Sequence, residues 1–316
     1  MINQLARCIQ VAPESVIVDG PVLAALVSPA KGRIVTKCRL YMADIDLRGK
    51  KMTMGLRGTA PLLAALSAVV PPAIHAEQCA LRSAAHRVTV LELYTSEGCS
   101  SCPPADRWLS SLSQRGVEPN AVVLLAFHVD YWNHLGWVDR FSQARFSQRQ
   151  HDVAARNRGR QVYTPQLILD GRTLRAGTLP DDLDDRLRSI NAQPAGATIY
   201  VELLRQPTAV QVTVDADVPA PATRANADVW IAAFENGLSS AVARGENAGA
   251  LLNHDFVVRD LAGPFPIPSD GRRRVQQTIE TAPDWDLRHA GVAIFVQDRN
   301  TGAVLQATAT FPVCQP

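Results

Sequence analysis

Apolar positions in this chain follow three patterns, and each predicts a different element. Val88 to Leu93, broken only by Thr89 and Glu92, and Ala121 to Val129 are near-continuous apolar runs, which predicts strands buried on both faces. After Pro103-Pro104, residues tolerated at a helix's first turn, Trp108, Leu109 and Leu112 recur at helical spacing. Looser helical order from Ser142 to Arg158 predicts an arginine-rich surface helix, and Leu183, Leu187 and Ile190 share one side of a helix over Asp181 to Ile190. Between them, Pro165 heads an apolar strand ending at Asp170-Gly171, a hairpin turn into Arg172 to Ala176. Past Asn191 to Gly196, which reads as a linker, the pattern alternates. Seven short strands are expected at Thr198 to Leu204, Ala209 to Ala216, Asp228 to Phe234, Phe256 to Leu261, Val275 to Thr281, Val292 to Gln297 and Val304 to Phe311.

This order predicts an α/β domain over residues 77–190 with a βαβ unit at its start, then a β-rich, sandwich-like domain over 197–316. Residues 1–51 show no clean period, and Met42, Met52 and Met54 are alternative starts. Arg57, the apolar run Ala60 to Val70, Pro71-Pro72 and Ala76 follow the order of a secretory leader. Eleven apolar residues are too few for a permanent membrane span, although a buried core helix is the alternative. Residues 1–76 are therefore expected to be removed, and the mature protein to be periplasmic or secreted.

The formal charge of +2 hides an uneven distribution. Residues 1–76 hold 9 Lys and Arg against 4 Asp and Glu, leaving 23 against 26 in the rest, and no lysine follows Lys51. That excludes Schiff-base chemistry from the body of the protein and argues against nucleic acid as a partner. Arg272 to Arg274, after Asp270-Gly271, reads as a solvated turn. Cys8 and Cys38 fall in the removed segment, so an exported chain keeps Cys79, Cys99, Cys102 and Cys314. An oxidising compartment favours a structural disulfide between Cys79 and Cys314 plus the close pair. A four-cysteine zinc site is the alternative, but the sequence offers neither a second CxxC nor an HxxxH.

Cys99 and Cys102 stand where a strand turns into a helix. Unpaired N–H groups and the positive dipole end there would lower the pKa of Cys99 and make it a nucleophile. Asp130 to Trp137 follows a parallel strand and should share that edge; Tyr131 and Trp132 are candidates to bind substrate, the alternative being simple packing of Trp132 and Trp137 on the helix. Glu92, set among apolar neighbours, either lies beneath the cysteines as a proton acceptor or faces a polar rim. His254 beside a strand reads as structural.

A strand, CxxC at a helix start and a distant Thr164-Pro165 opening a strand together resemble the thioredoxin fold. The wider wording, Glu92 to Asp106, then Phe127 to Trp132 and Val162 to Gln166, is similar to a bacterial family of secreted thioredoxin-like proteins, domain of unknown function 1223. The likeness spans roughly residues 86–313 and includes Gly245 to Arg259. It implies an α/β thioredoxin-like domain, export and a redox-competent pair, and nothing about substrate. Ordinary thioredoxins carry Trp-Cys-Gly-Pro-Cys, whereas Gly98 precedes Cys99 here and Ser100-Ser101 lie between the cysteines.

The function expected is exported thiol-disulfide exchange with protein thiols or disulfides, without a cofactor or resident metal. Cys99 attacks, Cys102 resolves, and Thr164-Pro165 holds the client chain. The rivals are a binding module whose CxxC is a structural disulfide and a Cu(I) or zinc carrier using both cysteines.

Overall fold

The structure, a computed structural model, describes residues 77–157, 159, 161–175 and 179–313, all within the compact unit Val70–Pro316. The leader-like run, Cys8, Cys38, the alternative start methionines and Cys314 lie outside the described residues. After β1 (Glu77–Arg82), the two apolar runs form β2 (Thr89–Thr95) and β3 (Val122–His128), paired in parallel with every residue buried. β4 (Gln166–Leu169) runs antiparallel on the other side of β2 and turns into β5 (Arg172–Thr173). Asp170 and Gly171 both take positive φ in that turn, 54° and 72°.

Alternation along β2 decides what covers each face. Leu91 and Leu93 point toward α1 (Pro103–Gln114), where Ala105, Leu109 and Leu112 pack with them and with Leu183 and Leu187 of α3 (Leu183–Asn191). Val90 and Tyr94 point the other way, among Phe127, Phe146 and Val153, the last two from α2 (Ala144–Arg156). Leu109 is 1% exposed. Burial of such a side chain contributes about 1.5–3 kcal/mol, and its truncation to alanine costs about 2–5 kcal/mol.

Each of the seven alternating stretches forms a strand: β6 (Thr198–Arg205), β7 (Ala209–Asp217), β8 (Ala227–Glu235), β11 (Val257–Pro266), β12 (Arg272–Glu280), β13 (Ala290–Asp298) and β14 (Val304–Thr310). The hairpin of β9 (Leu238–Ala241) and β10 (Leu251–His254), inserted between β8 and β11, was not foreseen. β1, β6, β7 and β12 make a four-stranded antiparallel sheet. Its Ile199, Val201, Val212 and Val214 meet Ile231, Val292 and Ile294 of β8 and β13 in one core.

The expectation of an α/β thioredoxin-like domain followed by a sandwich-like domain is corrected here. Among the described residues strand makes up 42% and helix 18%, and β2 belongs to one eight-stranded sheet of order β14-β13-β8-β11-β3-β2-β4-β5. β11 pairs in parallel with β3, Val257 opposite Ala126, and the Ala126 N–H donates to the Phe256 carbonyl at 2.8 Å. The physical reason is that residue patterning reports a strand's faces, while edge pairing is made by backbone groups common to all residues. An uncovered edge at β3 would leave a row of unpaired N–H and C=O groups, and β11 covers that edge around Ala126.

Candidate functional site

From the end of β2 the chain turns through Ser96, Glu97 and Gly98 to Cys99, whose N–H donates to the Ser96 carbonyl at 3.1 Å. Cys99 and Cys102 form a disulfide with Cα atoms 5.4 Å apart, and Cys102 is the N-cap of α1. Both cysteines are 0% exposed, while Ser100 and Ser101 between them are exposed. A nucleophilic Cys99 would need access that this burial denies it: a Cβ on Gly98 would sit 3.2 Å from that of Trp132, so the loop after β3 packs directly on the turn.

The second predicted stretch arrives at the same place. The Thr164-Pro165 bond is cis, and the Thr164 carbonyl oxygen lies 3.8 Å from Cys99 Sγ and 3.5 Å from Ser101 Oγ. Trp132 Nε1 donates to Thr164 Oγ1 at 2.8 Å. Tyr131 acts one step further out, its hydroxyl donating to Gln150 Oε1 at 3.2 Å while Gln150 Nε2 donates to the Tyr163 carbonyl at 2.8 Å. Thus Cys99, Cys102, Trp132, Thr164 and Pro165 gather at one edge, with Tyr131 supporting them through Gln150.

Glu92 is placed elsewhere. It lies on the β2 face covered by α2, opposite α1, and accepts from Arg149 Nε and Nη2 at 3.0 and 2.8 Å and from the Tyr94 hydroxyl at 2.7 Å. The Arg149 guanidinium also lies 4.8 Å from the Trp230 ring centroid and 5.3 Å from that of Phe295. Glu92 is thus the anion of a buried ion pair. Cys79 sits in β1 opposite Leu203 and is disulfide-bonded, whereas Cys314 lies outside the described residues.

Sequence reasoning missed two sets of residues. The first comes from the β9–β10 hairpin: Glu246 Oε2 accepts from the Ser100 N–H at 3.0 Å, and Asn247 Nδ2 donates to the carbonyls of Glu97 and Cys99 at 2.8 and 3.0 Å. The Glu246 carboxylate thereby occupies a donor near the helix start that a thiolate would otherwise attract. The similarity noted over Gly245 to Arg259 was the one signal pointing here.

The second set is a buried group of titratable side chains behind the disulfide. His128 Nδ1 is 2.7 Å from Asp139 Oδ2, which also accepts from the Glu97 N–H at 2.9 Å. His254 places Nε2 3.5 Å from Glu97 Oε1 and Nδ1 3.9 Å from Asp106 Oδ2, and its ring meets that of His128 at 4.9 Å between centroids. Burial pushes Glu97 up, but the adjacent His254 ring and the polar groups of Ser240 and Trp137 outweigh it and hold the carboxyl below its usual range. Burial likewise opposes charge on His128 and Asp139, and their mutual attraction reverses it, raising His128 and lowering Asp139. Asp106 goes the other way: its complete burial outweighs His254, His128 and Thr95 and raises its carboxyl. None of the described residues form a group of three or more His, Cys, Asp and Glu arranged to hold a metal ion.

Comparison with known proteins adds a family and a fold. The model of a protein of unknown function, DUF1223, matches residues 90–297. A crystal structure of a protein from Agrobacterium tumefaciens is similar at 26% identity and a TM-score of 0.51, over 72% of this chain and 96% of that one. HBP35 of Porphyromonas gingivalis shares the fold at 14% identity and a TM-score of 0.57, over 74% of this chain and 79% of its own. No curated protein matches.

Proposed function

This chain belongs to the DUF1223 family, and we propose that it is an exported thiol-disulfide oxidoreductase acting on protein cysteines through Cys99 and Cys102. The observation that carries this reading is the position of the disulfide, at the start of α1 with the Thr164 carbonyl 3.8 Å from Cys99 Sγ. An extended client segment donating a backbone N–H to that carbonyl would lay its own cysteine beside Cys99. A client thiolate then attacks Cys99 Sγ, the bond to Cys102 breaks, and its electron pair leaves on Cys102 Sγ as a thiolate that takes up a proton. A second client thiolate attacks the mixed disulfide and releases Cys99 as a thiolate, so the client is oxidised by two electrons and the pair reduced. The reverse sequence reduces a client disulfide.

Export is part of the same proposal, resting on the leader-like order of Arg57 to Ala76 and the even count of cysteines after it. In this reading Cys79 pairs with Cys314. No helix among the described residues is long and apolar enough to cross a membrane.

The test is to trap the mixed disulfide. Cells producing Cys102→Ala, quenched with acid, alkylated and run on non-reducing gels, should accumulate covalent adducts, and cells producing Cys99→Ala should accumulate few. The complete burial of both cysteines favours a second reading, a binding module with a structural disulfide. Absence of adducts from both variants, with a wild-type disulfide that resists mild reductant, would select it.

A further inference from the structure

Five titratable side chains from five segments converge behind the disulfide: Glu97 after β2, Asp106 in α1, His128 at the end of β3, Asp139 in the following loop and His254 at the end of β10. All are at most 6% exposed. Several of their polar atoms have no hydrogen-bond partner, namely Glu97 Oε1, His128 Nε2 and both nitrogens of His254, as does the neighbouring Thr95 Oγ1. Buried polar groups are nearly always satisfied, because an unpaired one costs about 1–3 kcal/mol. Here His254 is bracketed by two carboxyl groups at 3.5 and 3.9 Å without a completed bond to either, which suits a group that passes protons on.

Asp106 links this set to the cysteines. It lies one helical turn after Cys102, and its N–H donates to the Cys102 carbonyl at 3.1 Å. Helical side chains lean back toward the N-terminus, so its carboxyl covers the turn that carries Cys102. Burial keeps that carboxyl above the usual carboxylate range and favours the protonated acid. Two cations outside the set, Arg140 and Arg259, lie 4.4 and 5.4 Å from the Phe141 ring centroid. Phe141 in turn contacts both histidine rings. Glu246 is exposed and bound to the Ser100 N–H.

We infer that Asp106 and His254 form a buried proton relay serving Cys102, an inference that rests on the thiol-exchange reading above. When a client thiolate bonds to Cys99 and the electron pair of the broken bond leaves on Cys102 Sγ, the Asp106 acid gives that sulfur its proton. The carboxylate that results faces His254, and a proton from water restores the acid by way of Glu97 and His254. When Cys102 instead attacks the mixed disulfide, the path runs backward: the Asp106 acid first releases its proton through His254 and Glu97 to water, the carboxylate then takes the Cys102 thiol proton, and the client leaves as a thiolate.

The experiment measures the reduction potential of the Cys99/Cys102 couple against pH in glutathione buffers, with the rate at which a Cys99–glutathione mixed disulfide is resolved. Wild type should show one pH inflection beyond those of the two thiols. Asp106→Asn should lose that inflection and slow resolution about 100-fold. Asp106→Glu should restore the inflection, and His254→Asn should weaken it and slow resolution less than Asp106→Asn does. If Asp106→Asn does not fold, His254→Asn and Asp106→Glu decide. Superimposable profiles and equal rates in the folded variants and wild type would overturn the relay. Because glutathione replaces the client, a normal profile without client adducts overturns the oxidoreductase reading instead.

Discussion

The side-chain amide of Asn247 donates to the carbonyl of Cys99 at 3.0 Å, joining two residues 148 positions apart. The same amide donates to the Glu97 carbonyl, so one side chain holds both ends of the turn before the disulfide. Asn247→Ala leaves two partly buried carbonyls without that partner, at a cost of about 1–3 kcal/mol. It should lower the urea midpoint and make the disulfide more quickly reducible by small thiols. An unchanged reduction rate would show that the hairpin does not restrain the turn.

Removing one side of the Glu92–Arg149 pair strands a buried charge, so Arg149→Met should cost about 3–5 kcal/mol. The double variant Glu92→Gln with Arg149→Met should recover much of that loss. Glu92→Gln alone should leave both steps of thiol exchange at wild-type rates, since the carboxylate lies across the sheet from α1. A selective slowing of resolution would reinstate Glu92 as a proton acceptor.

His128 and Asp139 give stability a pH signature. His128 is raised in the folded protein, so its contribution is complete below its ordinary value and is lost as pH climbs through the raised one. Asp139 is lowered, so its contribution is complete above the ordinary carboxylate value and is lost as pH falls through the depressed one. The pair acts fully between those limits. Asp139→Asn should therefore cost more at mildly acidic pH than at alkaline pH. Denaturation midpoints across that range would check it, and a constant difference would mean that His128 carries no charge.

A tight backbone approach joins β4–β5 to the β13–β14 turn. Gly171 has φ +72°, and a Cβ there would collide with the Gly302 carbonyl. Gly171→Ala should cost about 2 kcal/mol or more. Gly302→Ala, whose Cβ would have 3.3 Å to the nearest atom, should cost less. Beside them, Asp170 accepts from Arg87, Thr89 and the Val304 N–H. Equal thermal shifts in the two variants would contradict this ordering.

What the sequence disclosed and what it withheld divide along physical lines. Pro103-Pro104, the Leu109 and Leu112 spacing and Asp170-Gly171 are local signals, and the helix and hairpin formed where they indicated. Thr164-Pro165 was legible for the same reason, because proline constrains its own neighbourhood. The β3–β11 pairing was illegible, since a backbone edge has no characteristic residue. His254 looked structural because its partners, Glu97 and Asp106, lie more than a hundred residues upstream, and only the folded chain brings them to it.

The distance in sequence between Cys99 and Asn247 also has a history within each molecule's life. A ribosome adding about 5–20 residues per second exposes the two cysteines roughly 7–30 s before it makes the hairpin that will cap them. During that interval the nascent pair lacks Asn247, Glu246 and His254, and its sulfurs meet whatever oxidants or thiols surround the growing chain. Any change in the oxidation state of the pair during that interval takes place without the contacts that the finished fold later supplies.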